Sequence, residues 1–318
     1  MTTQRVLLSG GVGGARLCDG FYREFGGEGL LIAVNTGDDF EHLGLHISPD
    51  IDSVLYALAD LGDRERGWGM AGESWTVLER LRELGGETWF QLGDRDLATH
   101  LLRTSLLRSG ESLSGAVATL CERMGIAVPV VPVTDQPLRT HVRTDEGVLA
   151  FQDYFVRRRC EPTVSGFEFR GAESAQASAA LMDALTDAAL SQVVICPSNP
   201  FVSVGPMLAL SALSGALTRA AAPVVAVSPI VGGRALKGPA AAMLTALGYP
   251  LSALGVVRYY ADTAPGLLHT FVIDSMDSAL IPEIETLVPR CLATEIVMHT
   301  PQDRQRLARW LTQLEAGG

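Results

Sequence analysis

RVLLSGGVGGARLCDGFYREFGGEGLLIAV, running from Arg5 to Val34, decides the fold. Its two ends, Arg5 to Ser9 and Leu30 to Val34, are short apolar runs without alternation, the pattern of parallel strands covered on both faces. Between them lie a glycine-rich loop, Gly10 to Ala15, and a helix predicted over Arg16 to Phe25. Together they make one βαβ unit. The second strand ends in Asn35-Thr36-Gly37-Asp38-Asp39, a polar loop at a strand C-terminus. Beyond Ala172 the rhythm resumes, with strands at Val193 to Cys196 and Val224 to Ser228 and helices at Met207 to Thr218 and Ala240 to Leu247. A final helix has Thr300 as its N-cap and Pro301 behind it. The middle of the chain reads differently. Helices are predicted at Ile51 to Leu61, at Ser74 to Leu84 and around Leu113 to Met124, and strands at Ile126 to Val133, His141 to Arg143 and Val148 to Arg157. The expected fold class is α/β, a three-layer, doubly wound, mostly parallel sheet of Rossmann-like type with an inserted α+β region. Residues 1–62 and 173–318 form the nucleotide-binding core in this division, and 63–172 the inserted substrate or cap region.

At 318 residues, with 47% hydrophobic and 19% charged, the chain has the length and composition of a folded globular protein, either two units or one large one with an insertion. Twenty-five Lys and Arg against 36 Asp and Glu give a net charge of −11, without a dense basic run. That argues against a phosphate-backbone clamp, so no nucleic-acid partner is expected, although local basic pockets for small anions are compatible with it. The five cysteines are odd in number and form no C-x-x-C pair, which argues against a disulfide framework or a Cys-rich zinc site. No stretch has the length of a membrane span, so no membrane partner is expected, and the N-terminus lacks a signal-peptide layout. The expected location is the cytoplasm.

Three polar loops fall at one edge of the predicted sheet. In the first, Gly11, Gly13 and Gly14 permit close backbone approach, and helix-start N–H groups can bind a phosphate; the alternative is a tight turn made for helix packing. Neither G-x-G-x-x-G nor a P-loop fits, since Arg16 stands at the third glycine's place and no lysine follows. Asn35, Asp38, Asp39, Asp50 and Asp52 gather within eighteen residues near this edge, and such carboxylates suit Mg²⁺, a hard cation that takes oxygen ligands. The alternative for Asp50 or Ser48 is helix capping. The second loop, Cys196-Pro197-Ser198-Asn199-Pro200, offers Ser198 and Asn199 to a base or sugar. The third, Ser228 to Arg234 with Lys237-Gly238-Pro239, brings cations and Gly232 to a helix start. Three such loops imply a long polyanionic ligand, or else ordinary turn chemistry. In Leu92-Gly93-Asp94-Arg95-Asp96, Arg95 either clamps a substrate or is neutralised by its neighbours. His42, His46 and His100 are scattered without metal-ligand spacing or a nucleophile partner, which argues against a His-based hydrolase.

The ordered set GGVGGAR (Gly10 to Arg16), NTGDD (Asn35 to Asp39), HISPDIDSVLY (His46 to Tyr56), LGDRDLATH, FQDYF (Phe151 to Phe155), CPSNPFVSVGP and SPIVGGRALKGP resembles the 2-phospho-L-lactate transferase family, CofD/FbiA. The resemblance implies a Mg²⁺-dependent transferase of coenzyme factor 420 biosynthesis. Such an enzyme joins a guanosine-diphosphate-activated three-carbon acid to the ribityl hydroxyl of the deazaflavin Fo and releases GMP. It further implies Asp39 and Asp50 as metal ligands, Asp50, Asp52 and Arg95 as catalytic residues, and Asp38 or Asp52 as the group that orients the hydroxyl. Arg95 would contact Fo or phosphate. Gly11, Gly13, Gly14, Asn35 and Asp38 would border the reacting phosphates, and Ser198, Asn199, Gly232 and Lys237 would hold the guanosine diphosphate. Phe201 stands where the family usually has a smaller residue, and bears on the neighbouring pocket wall. The donor's acid could be phospholactate, phosphoenolpyruvate or phosphoglycerate, which differ by a few atoms at one end. A homodimer is the expected assembly. Two other readings compete. A nucleotide-sugar-binding regulatory protein of the gluconeogenesis-factor type shares the glycine start and the Asp-rich loop but lacks LGDRD and SPIVGG. A nicotinamide oxidoreductase would need the missing third glycine.

Overall fold

The computed structural model describes residues 4–235 and 238–314. Seven strands make the central sheet: β1 (Arg5–Ser9), β2 (Leu30–Val34), β3 (Val130–Pro132), β4 (Gln192–Ile195), β5 (Val224–Val227), β6 (Thr270–Asp274) and β7 (Arg290–Thr294). Their order is β7-β6-β5-β4-β1-β2-β3, and every neighbouring pair is parallel. Successive residues of a strand point to opposite faces, so each strand feeds two cores. Val6, Leu8, Val193, Ile195, Phe271 and Ile273 pack into one, and Leu7, Ile32, Val34, Val194 and Val272 into the other. This explains the unalternating apolar runs, and the expected three-layer α/β architecture is what the chain adopts.

Chain order reverses between β1 and β4. Open α/β sheets bind ligands at such a reversal, outside the strands' C-terminal ends. Two helices flank it on one face, α1 (Gly11–Phe25) and α2 (Pro49–Leu58). Leu17, Cys18 and Phe21 of α1 and Ile51, Val54 and Leu55 of α2 share a core with Leu307 and Leu311 of the last helix, Pro301–Gln313. That last helix starts with the expected Thr300 cap, completed by Asp303 in a reciprocal capping box.

Residues 63–172 contribute more than an insertion. They hold α3 (Thr76–Glu83), α4 (Asp94–Arg108), α5 (Leu113–Arg123) and a separate antiparallel sheet of Arg139–Thr144, Gly147–Ala150 and Val164–Arg170, but also β3, the edge strand of the main sheet beside β2. Extension stops at Ala150, although a strand is predicted to Arg157. Phe151 and Tyr154 are both buried, and Phe151 stacks on Phe155 at 5.5 Å, a helical spacing that winds this segment into a turn. The predicted helix Met207 to Thr218 is two helices, Gly205–Ala209 and Ser211–Arg219, bent by 92° at Leu210. Among the described residues, no single helix is long and apolar enough to cross a membrane.

Candidate active site

The helix after β1 begins at Gly11 rather than at Arg16, so most of the predicted loop is its first turn. Gly11 has φ +65°, which a residue with a Cβ adopts only at a cost. A Cβ on Gly13 would collide with the Pro197 carbonyl oxygen, so that glycine lets α1 press against the loop after β4. The helix has no side-chain cap of its own. Its N-terminal donors go to two residues distant in sequence: Gly10 N–H to Ser198 Oγ at 3.0 Å, and Gly11 N–H to Asp50 Oδ1 at 2.7 Å. A carboxylate thus sits where the helix dipole favours negative charge.

Asn35 locks that carboxylate from the other side. Its Nδ2 donates to Asp50 Oδ2 at 2.9 Å and to the Val202 carbonyl at 3.2 Å, and its Oδ1 accepts from Gly37 N–H at 2.8 Å. Asp38 and Asp39 follow directly, and both are buried with Asp50. Asp39 Oδ2 accepts from Ser48 Oγ at 3.0 Å and faces His46 Nε2 at 3.1 Å. Asp39 Oδ1 and Asp38 Oδ1 are buried with no hydrogen-bond partner among the described residues. Burial holds Asp38 well above the ordinary carboxylate range, and the charges of Asp50 and Asp39 push it the same way. Asp50 is raised to about 6 by burial, against the pull of its bonds from Asn35 and Gly11. Three carboxylates in mutual repulsion, two with unpartnered oxygens, form the kind of donor set a hard divalent cation satisfies. Asp38 and Asp39 each keep an unpartnered Oδ1 for a cation, while both Asp50 oxygens already accept hydrogen bonds. Among the described residues, the group of three whose ligand atoms all lie within 4.8 Å of one another is instead Asp52, Asp96 and His100, although His100 is expected to lack metal-ligand company.

The other expected residues lie elsewhere. Asp52, two positions beyond Asp50, turns away to Arg103 of α4 and accepts hydrogen bonds from both terminal guanidinium nitrogens, one at 3.1 Å. His100 Nδ1 lies 3.6 Å from Asp52 and its Nε2 3.3 Å from Asp96, which also accepts from the Tyr56 hydroxyl at 2.5 Å. Asp52 and Tyr56 of α2 are therefore bonded to Arg103 and Asp96 of α4, with His100 between them. Arg95 is exposed and donates to the Ala71 carbonyl at 2.7 Å; neither flanking aspartate pairs with it. Asp94 instead accepts from Ser74 Oγ and from the Thr76 and Val77 N–H groups, holding the start of α3. Asn199 caps the turn Pro200–Val204, accepting from Phe201 N–H at 2.9 Å. Phe201 is fully buried against Tyr259 and Phe167, in the core and not at a pocket wall. Gly232 spends its N–H on Asp277. Lys237 lies outside the described residues.

The sequence profile of the family described as "2-phospho-L-lactate transferase CofD" matches residues 6–286, nearly the whole chain. The chain belongs to the CofD family. A Methanosarcina mazei protein named 2-phospho-L-lactate transferase is 36% identical over 308 residues, covering 97% of this chain and 99% of its own length. A Streptomyces griseus protein named phosphoenolpyruvate transferase is 35% identical over 314 residues, covering 97% of each. The chain is thus a transferase enzyme. A UPF0052-family structure from Bacillus halodurans superposes with a TM-score of 0.63 over 98% of this chain and 99% of its own, at 11% identity, and shows the shared fold.

Sequence reading missed Arg103, and set His46 and His100 aside as scattered although each lies beside a buried carboxylate. His46 lies inside HISPD, where its spacing from Asp39 carries no periodic signal. Arg103 lies at i+7 from Asp96 on a helix whose apolar pattern is weak, so nothing local marks it as buried.

Proposed function

We propose that this enzyme transfers a phospho-three-carbon-acid group from its guanosine diphosphate adduct to the ribityl hydroxyl of the deazaflavin Fo, releasing GMP, in coenzyme factor 420 biosynthesis. The observation that carries the reading is the buried trio Asp38, Asp39 and Asp50 at the strand-order reversal of a CofD-family chain. The two relatives' names support phospholactyl and phosphoenolpyruvyl as the acid, and phosphoglyceryl is the third donor to test. The ribityl oxygen forms a new bond to the phosphorus that bears the acid, the bond from that phosphorus to the GMP oxygen breaks, and the hydroxyl proton passes to a carboxylate. Asp38, whose buried Oδ1 has no hydrogen-bond partner among the described residues, is the group placed to take it. Asp50, fixed by Asn35 and Gly11, holds its place by two hydrogen bonds from opposite sides. Mg²⁺ held by Asp39 and Asp50 would stabilise negative charge developing on the phosphoryl oxygens.

The same proposal makes the enzyme a cytoplasmic homodimer, and five free thiols are in keeping with a reducing compartment. The test is incubation of the purified chain with Fo, Mg²⁺ and each of the three donors, followed by mass measurement of the product. A phospho-acid adduct of Fo with stoichiometric GMP is expected. Failure of every donor with a folded, Mg²⁺-binding protein would refute the reading.

A further inference from the structure

Two groups of buried acids share α2, and they differ in what balances their charge. Asp52 accepts from both terminal nitrogens of Arg103, so the cluster Asp52, Asp96 and His100 has a built-in cation. Among the described residues no arginine pairs with Asp38, Asp39 or Asp50. The basic side chain that reaches them is His46, whose Nε2 lies 3.1 Å from Asp39 Oδ2 at 18% side-chain exposure. A short hairpin brings it there. Phe40–His42 and Leu45–Ile47 pair antiparallel, with Phe40 opposite Ile47 and Glu41 opposite His46, so the next register position sets Ser48 opposite Asp39. Residues 46 and 48 share a face, by the two-residue period of extended chain, and both reach Asp39 Oδ2, Ser48 Oγ at 3.0 Å. Helix α4 fixes the His46 backbone: Thr104 Oγ1 accepts from its N–H at 2.8 Å, and Arg103 Nη1 donates to its carbonyl at 3.4 Å.

An ionised carboxylate only accepts, so in the metal-binding form of Asp39 the His46 Nε2 carries the hydrogen of this contact. Two donors on Oδ2 and none on Oδ1 keep the carboxylate from turning over. Oδ1 is thereby the oxygen offered to a cation, beside the equally unpartnered Oδ1 of Asp38. Loss of such an outer partner costs about 10–100-fold in metal affinity, because it no longer fixes the orientation of the ligand. Of the two donors, His46 is the one that can be varied cleanly. Ser48 is fully buried at the start of α2, and its replacement would disturb the helix that carries Asp50. His46 is partly exposed, and its backbone remains held by α4 when the ring is changed.

We propose that His46 is a positioning residue of the cation site: it holds Asp39 Oδ2 so that Oδ1 faces the metal. This rests on the reading of Asp39 as a metal ligand. The test is calorimetric titration of the full chain with Mg²⁺ and separately with Mn²⁺ at pH 7, beside thermal unfolding in EDTA. His46→Gln keeps an N–H donor at similar reach, and His46→Met has the same length without a donor. The Gln variant should bind both ions within about threefold of wild type, whereas His46→Met and His46→Ala should each bind at least about tenfold more weakly. The Gln and Met variants should melt alike in EDTA, since the effect lies in the aim of Asp39 and not in the stability of the hairpin. Wild-type ion affinity in His46→Met, or His46→Gln as weak as His46→Met, would overturn the proposal. Asp39→Asn separates the two ideas. Ion binding lost in Asp39→Asn but kept in His46→Met sinks the positioning role and leaves the ligand, and wild-type binding in Asp39→Asn removes Asp39 from the site and this inference with it.

Discussion

Replacing Arg103 by Met is expected to cost about 3–5 kcal/mol of folding stability at pH 7, the range for removing one partner of a buried ion pair. Burial sets this scale. Arg103 is 0% exposed and Asp52 4%, so the solvent screening that reduces surface pairs to about 0–1 kcal/mol is absent. The variant leaves the Asp52 carboxylate enclosed with only His100 at 3.6 Å. Burial already raises the Asp52 pKa with Arg103 in place, and losing the arginine raises it further. Between the unfolded value, about 3.9, and that raised folded value, the native state binds more protons than the unfolded state. Stability therefore falls as pH rises through this window, and the penalty relative to wild type shrinks towards pH 4. Urea unfolding followed by circular dichroism at pH 4.5 and 7 measures both numbers. The double variant Asp52→Asn, Arg103→Met should recover most of the loss, because it removes the stranded charge with its partner. A cost below about 1 kcal/mol for Arg103→Met at pH 7, or a double variant that costs the sum of the singles, would refute the reasoning.

Asp50→Asn should reduce transfer at least a hundredfold with the fold retained, measured as GMP release beside a circular dichroism spectrum; wild-type turnover would remove Asp50 from the site. Mg²⁺ affinity should climb from pH 5 to pH 7. Burial raises Asp38, and Asp50 to about 6, so the cation must displace protons from the metal-free protein, and calorimetry in buffers of different ionisation enthalpy should record their release. A flat affinity across that range would contradict it. Gly13→Ala should destabilise by about 1–3 kcal/mol, the cost of overpacking, because its Cβ meets the backbone oxygen of Pro197, which cannot rotate aside. A change in melting temperature within error would show that α1 can retreat.

The sheet was legible in the sequence because fully buried parallel strands read as unbroken apolar runs, and β1, β2, β4 and β5 each stand within a residue of where such a run predicts them. Strands β6 and β7 were not singled out. Arg290–Thr294 has Leu292 as its one large apolar side chain, and only its pairing with β6 makes it a strand. The acidic trio was legible for a similar reason: strand C-termini are fixed by the apolar runs, so the loops leaving them must meet at the edge. Asp52 was not separable from Asp50 on those grounds. Two residues apart on a helix, their side chains point about 200° apart, and which of them faces the edge depends on the partner helix α4, whose buried Arg103 takes Asp52.

The glycine loop shows how a motif can keep its position and change its task. A helix N-terminus with glycines is a ready site for phosphate, yet here Asp50 occupies it at 2.7 Å from the Gly11 nitrogen. A phosphate could take that place only by displacing a buried carboxylate that Asn35 also holds. The donors instead work on Asp50 itself: burial drives its pKa upward, and the Gly11 and Asn35 bonds pull it back to about 6. Without them burial would hold the acid further above the ordinary carboxylate range. The glycines are thus required twice, at Gly11 for the backbone turn that aims its N–H at Asp50 and at Gly13 for contact with the loop after β4.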